Sequence, residues 1–137
     1  MLVGGYAVIA HCYPRTTCDM NLWINPTEAN YKRLHTAFAQ FGMPLFDMSQ
    51  EKFLNTNQFD VFTFGRPPTS IDILTKVKGL SFEAAFAHAQ WHQIEVDLKI
   101  RVIHLTDLLL AKKAAGRPKD LDDLLNLDKP NEAKNLL

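Results

Sequence analysis

The sequence predicts an α/β (α+β) domain built on a short mixed sheet. Three observations predict it. DMNLWI at residues 19–24 alternates, with Asp19, Asn21 and Trp23 on one side and Met20, Leu22 and Ile24 on the other. That is the two-residue period of a strand. Leu34, Ala37, Phe38 and Phe41 recur at helical spacing. Segments of the two kinds then follow one another along the whole chain, the pattern of helices layered on a sheet.

The elements follow in order. MLV at 1–3 reads as a strand tail, interrupted by Gly4-Gly5, and YAVIAHCY at 6–13 is a short apolar piece compatible with a brief helix. Pro14 closes it, because the residue before a proline avoids the helical region. After the strand at 19–24, NPTEAN is a helix start, with Pro26 or Thr27 near the cap and Glu28 in the first turn. Gly42 terminates that helix. QEKFL lies in an irregular or briefly helical stretch over residues 43–58.

FDVFTF at 59–64 is the next strand, GRPP at 65–68 a turn, and SIDILTKV at 70–77 a further strand ending at Gly79. FEAAFAHA at 82–89 reads as helix, and residues 91–104 contain strand, strongest in KIRVIHL. Thr106 is the N-cap candidate for a helix that Gly116 stops, and Pro118 opens a last helix, KDLDDLLNL. Residues 1–127 form one domain in this reading, and residues 128–137 a tail or frayed last turn.

Composition bounds the function. The chain has 137 residues, 47% hydrophobic and 22% charged, which excludes a largely disordered chain. Fifteen basic side chains balance fifteen acidic ones, so no net field advertises nucleic acid or an anionic membrane. Residues 1–68 carry 5 of each sign and residues 69–137 carry 10 of each. The second half therefore reads as more exposed helix. No secretory leader and no apolar run of membrane-spanning length stands out. Two cysteines are too few for a disulfide scaffold, so a reducing compartment, the cytoplasm, is expected.

Several residues could carry chemistry. Asp19 and Asn21 face the same way on one strand, and Asp72 lies on another. Were those strands neighbours, the three could hold one Mg²⁺ beside a triphosphate, since hard cations take oxygen ligands. The alternative is a turn cap and a solvent-facing strand acid. Gly4-Gly5 would let backbone amides approach an anion, or would simply make a tight turn. Residues 109–124 hold Lys112, Lys113, Arg117 and Lys119, then Asp120, Asp122 and Asp123. Lys112 and Lys113 fall in a last helical turn, where cations are favoured whether or not they meet a phosphate. His88 and His92 stand four apart and could share a helical face as a metal pair. His11 and His104 read as core or rim histidines, and Cys12 and Cys18 as small buried hydrophobes.

LVGGYAVIAHCYPRTTCDMNLWI resembles the opening of minimal nucleotidyltransferases of the DNA polymerase beta-like superfamily, near the AbiEii-type toxin and uncharacterised nucleotidyltransferase groups. Their pattern is GG or GS after a strand, about a dozen residues, then D-x-D, with a third acid from a later strand. Here GRPPTSIDILTKVKG supplies that acid as Asp72. DLLLAKKAAGRPKDLDDLLNL is similar to the family's closing segment. The resemblance covers about residues 2–127.

The resemblance implies a short mixed sheet with helices packed mainly on one side. It implies that Gly4 and Gly5 contact a bound NTP and that Asp19, Asn21 and Asp72 ligate Mg²⁺ or Mn²⁺. Asp72 would also stand nearest to an acceptor's proton. Lys112 or Lys113 would counter phosphate charge, with Arg15 as a further candidate. The implied reaction is nucleotidyl transfer to a hydroxyl on a protein, an RNA end or a small molecule, with release of pyrophosphate. Two departures stand out. Asn21 replaces the second acid, so a site of net −2 stands where the family has −3, which weakens a hard metal, impairs transfer and motivates the alternative of a catalytically weak or inactive nucleotide-binding, regulatory or protein-interaction module. The helix that relatives carry before the GG strand has no counterpart here, so a partner is expected to cover that strand in a homodimer or larger assembly.

Overall fold

The computed structural model describes residues 1–66 and 68–127. The expected tail at 128–137 lies outside the described residues, as does Pro67 of the GRPP turn.

Twelve elements follow in order among the described residues: β1 (Leu2–Val3), α1 (Gly4–Ala10), β2 (Asp19–Trp23), α2 (Glu28–Phe41), α3 (Gln50–Leu54), β3 (Val61–Arg66), β4 (Thr69–Leu74), α4 (Phe82–His88), β5 (Gln90–Glu95), β6 (Leu98–Val102), α5 (Leu105–Ala115) and α6 (Pro118–Leu127). The six strands form one mixed sheet in the order β3-β4-β2-β1-β6-β5. Pairing is parallel between β2 and β4 and between β1 and β6, and antiparallel elsewhere. The mixed α+β class is as the sequence predicts.

Local chemistry explains most boundaries. Thr27, Ser49 and Ser81 each accept a backbone N–H two or three residues into α2, α3 and α4, as N-caps do. Gly42 and Gly116 end α2 and α5 in the left-handed conformation that glycine adopts without strain. The start of α5 differs from expectation. His104, and not Thr106, is the cap, its ring Nδ1 accepting the Thr106 N–H.

The region 91–104 also differs. It holds two strands, β5 and β6, turning at Val96-Asp97, with a register shift between Gln93 and Glu95. Neither Gly nor Asn-Gly marks that turn. β3 runs two residues further than the alternation suggests, through Gly65 and Arg66, and β4 stops at Leu74.

Helices cover both faces of the sheet, where the resemblance implies mainly one. On one face Phe38 of α2 and Phe53 of α3 pack against Leu22, Ile73, Phe62 and Phe64. The Phe38 and Phe64 rings meet edge to face at 4.6 Å. On the other face Val3 and Trp23 pack with Val8 of α1, Ala85 of α4 and Leu108 of α5.

The last helix buries acids, and its Leu127 packs against the core. In α6 the carboxylates of Asp120 and Asp123 are buried, while Leu121 and Leu125 are 51% and 69% exposed. Charged partners in the interior reverse the usual preference. No helix among the described residues is long and apolar enough to cross a membrane.

Candidate functional site

The parallel register of β2 and β4 sets the site. Asn21 stands opposite Asp72, and Asp19 opposite Ser70. Strand alternation then puts Asp19, Asn21 and Asp72 on one face, the face that carries Val3 and Trp23. Across the β3–β4 hairpin Thr63 stands opposite Asp72. The Thr63 hydroxyl donates to Asp72 Oδ1 at 2.8 Å, and the Ser70 hydroxyl donates to Asp19 Oδ1 at 2.8 Å. Each carboxylate is thus held by a neighbouring strand with one hydrogen bond and keeps free acceptor capacity.

The glycines sit beside this row. Val3 pairs with Asn21, so the next residue, Gly4, abuts the Asn21 side chain. A Cβ on Gly4 would collide with Asn21 Nδ2, and φ is +67° there, so only glycine fits without strain. A Cβ on Gly5 would lie 2.5 Å from Thr17 Oγ1 and 3.2 Å from Arg15 Nη2. The sheet therefore puts Asp19, Asn21 and Asp72 on one face with Gly4 against Asn21, while Gly5 packs against Thr17 and Arg15.

Asn21 carries an exception. Its Oδ1 is buried without a hydrogen-bond partner. Buried acceptors are nearly always paired, so this one stands ready for a donor or a cation. The residue lines a cavity of about 110 Å³ with Gly4, Lys112, Arg117 and Asp120, which neither Asp19 nor Asp72 lines.

Lys112 is not a free cation in the last turn of α5. Its side chain is 7% exposed, with Nζ 3.2 Å from Asp120 Oδ1 and 2.9 Å from Asp123 Oδ2. Arg15 pairs with Asp123 from the other side, and Arg117 Nε donates to Asp120 Oδ2 at 2.7 Å. A chain of charge results: Arg15, Asp123, Lys112, Asp120, Arg117. Three cations face two carboxylates. Burial pushes the Asp120 carboxyl up, but hydrogen bonds from Arg117 and Lys112 and their charges outweigh it and hold it below its ordinary value. Lys113 is exposed and does not line the cavity.

The histidine pair is corrected. His88 ends α4, and Ala89 turns the chain to extended geometry, which carries His92 onto β5. The two therefore do not share a helical face. His88 Nδ1 lies 3.2 Å from Asp107 Oδ2, and His92 meets His11 edge to face at 6.1 Å. His11 and His104 are half-buried, as rim residues are, with His11 Nε2 hydrogen-bonded to the Ile103 carbonyl at 2.8 Å. Cys12 and Cys18 are exposed free thiols, contrary to expectation. Both lie in the connection between α1 and β2, where Cys12 adopts φ +68°.

Sequence reasoning missed Thr63, Ser70 and Thr17, which support the carboxylates and the glycine turn. It also missed the burial of Asp120 and Asp123. The available signal was the run of cations at Lys112 and Arg117 just before two acids three residues apart.

Among the described residues, no group of three or more His, Cys, Asp or Glu side chains is placed to share a metal ion. The candidate donor set is two carboxylates and an amide oxygen, which suits Mg²⁺ only where substrate phosphates complete the shell. The orphaned Asn21 Oδ1 favours that fit, and the absence of Asp19 and Asp72 from the cavity that Asn21 lines counts against it. No protein-family model matches the chain, and no curated protein matches it.

Proposed function

We propose that this protein binds a nucleoside triphosphate with Mg²⁺ or Mn²⁺ and transfers the nucleotidyl group to a hydroxyl-bearing acceptor. The observation that carries the reading is the β2–β4 register, with Asn21, which packs against Gly4, opposite Asp72, and Asp19 two pairs along on the same face. Asp19 and Asp72 would hold the metal, with the Asn21 carbonyl oxygen as a neutral third donor. A metal bound there supplies charge neutralisation on the phosphate oxygens.

The remaining roles belong to the chain's own groups. Gly4 and Gly5 would approach a triphosphate through their backbone, although the Asn21 side chain packs against Gly4 and those of Thr17 and Arg15 against Gly5. Arg15, Lys112 and Arg117 outnumber their two carboxylate partners by one charge, and the metal would offset the two further negative charges of Asp19 and Asp72. The acceptor oxygen forms a bond to the α-phosphorus, the bond from that phosphorus to the bridging oxygen breaks, and pyrophosphate leaves. The hydroxyl proton passes to Asp72, whose second oxygen is free of Thr63.

A second reading has one observation in its favour. Asn21 brings no charge, and its oxygen is buried. That supports a module that binds nucleotide and keeps little transfer activity.

One experiment decides between them. The protein is incubated with labelled NTPs, Mg²⁺ or Mn²⁺, and protein, RNA and small hydroxyl acceptors, beside Asp19→Ala and Asn21→Asp. Label transfer that disappears in Asp19→Ala supports the enzyme. Nucleotide binding with transfer gained only in Asn21→Asp supports the binding module. Neither binding nor transfer in any variant overturns both.

A further inference from the structure

We infer a second ligand site, independent of the nucleotidyl-transfer reading, in the cleft of about 610 Å³ between the chain at 56–60 and the chain at 76–81. Its two walls are tied together by Thr75, the residue that follows β4. Thr75 is buried, and its N–H and hydroxyl donate to the carbonyls of Asp60 and Phe59, each at 3.0 Å. Beyond it, Val77 and Leu80 pack against the core. Gly79, at φ +85°, comes so near α5 that a Cβ there would lie 3.1 Å from Ala114. A segment anchored at these points leaves Lys76 and Lys78 as exposed residues lining the cleft. The cleft shares Val77 with the cavity at Asn21 and no charged residue. Its volume falls in the range of small-molecule sites.

The second observation is that its polar side chains are unemployed. Three charged residues line it, Asp60, Lys76 and Lys78, and none of them makes an ion pair among the described residues. The side-chain hydrogen bonds of this neighbourhood engage Asn55 with Gln58, Thr75 with Phe59, and Ser81 with Ala84. None engages Thr56, Asn57, Asp60, Lys76 or Lys78. Two cations therefore stand two residues apart against one carboxylate, which leaves the cleft net positive and ready for an anion.

The lining defines the ligand. Two ammonium groups on one wall suit a phosphate dianion, which lysine binds as a point charge. The other wall offers the Thr56 hydroxyl, the Asn57 amide and the Asp60 carboxylate, a mixed set of donors and acceptors that matches hydroxyl groups. No aromatic side chain lines the cleft, so it has no platform for a nucleobase. The site therefore fits the phosphate monoester of a small polyol, a sugar phosphate.

Ribose 5-phosphate, ribose and inorganic phosphate test this on the full chain, with backbone amide resonances as the readout. Gly79 reports the cleft and Gly4 the nucleotidyl-transfer site. Ribose 5-phosphate is expected to shift the Gly79 amide and to bind at least about tenfold more tightly than either fragment, because each fragment leaves one wall unused. Lys76→Gln and Lys78→Gln, at exposed positions, should each weaken it at least about threefold. Asp60→Asn should tighten inorganic phosphate and narrow the preference for the sugar phosphate. Lys99→Gln, an exposed lysine on β6 outside the cleft, should change nothing. Inorganic phosphate binding as tightly as ribose 5-phosphate, an equal loss in Lys99→Gln, a shift at Gly4 without one at Gly79, or no saturable binding at millimolar concentration would overturn the site.

Discussion

Gly4 and Asn21 are in such close contact that a methyl group on Gly4 would lie 3.1 Å from the Asn21 Cβ and closer still to its amide nitrogen. The turn into α1 and the middle of β2 are thereby locked together. Gly4→Ala must pay for both a positive φ and the collision. It should destabilise the fold by about 2–4 kcal/mol, read as a lower urea midpoint. Gly42→Ala, with open space around it and a similar φ, should cost only the conformational part, about 1 kcal/mol.

Adjacent lysines should behave differently. Lys112→Ala strips two buried carboxylates of a shared cation and should cost about 3–5 kcal/mol. Lys113→Ala, on the exposed side of the same turn, should stay within about 0.5 kcal/mol of wild type. Paired urea titrations check the contrast. Equal effects would mean that the buried charge chain contributes nothing to stability.

Acid should weaken the fold through Asp120. Its carboxyl titrates below its unfolded value of 3.8, because hydrogen bonds and charges from Arg117 and Lys112 overcome the burial that would raise it. A depressed carboxylate stabilises the folded state above the unfolded pKa, and that stability drains away as pH falls through the folded pKa. Unfolding free energy should hold steady near neutrality and decline below about pH 4. Asp120→Asn should start less stable and show a flatter acid limb.

Asn21→Asp should respond to metal in two ways. Without a divalent ion, a second carboxylate opposite Asp72 should cost about 1–3 kcal/mol. With Mn²⁺, that loss should reverse, and Mn²⁺ affinity should rise at least about tenfold, because hard cations reward added charge. Electron paramagnetic resonance of free Mn²⁺ and thermal melts with and without the ion give both numbers.

The GG strand, β1, is buried and paired on both sides by β2 and β6 and needs no partner, so the homodimer is proposed instead through the edge strand β5. It is an edge of the sheet, with Trp91 62% and Ile94 54% exposed. Open edges invite pairing with a second chain. Light scattering at micromolar protein should give twice the 15.6 kDa chain mass, and Ile94→Lys should return it to one. A wild-type mass of one chain would end this proposal.

The elements were legible where one physical signal dominated. Alternation read β2 almost to the residue, and Gly42 and Gly116 stopped their helices as glycine does. The β5–β6 hairpin was not legible, because Val96-Asp97 carries no turn signature. Pairing was less legible still. Residues 19, 21 and 72 could be named as candidates, but only the parallel register of two strands far apart in sequence puts them on one row. Lys112 and the acids of α6 misled for another reason. Pattern alone treats charge as outward-facing, and three cations converging from separate segments overrode it.

The buried acids of the last helix have a thermal consequence. Most of the molecule is held by aromatic and aliphatic packing, whose strength per unit area levels off on heating. α6 is fastened by carboxylates among cations as well as by Leu127, and the hydration that opposes such pairs weakens as temperature rises. Its attachment should thus be relatively strongest in warm solution and the first to loosen in the cold, so the two ends of the chain age differently along a temperature ramp.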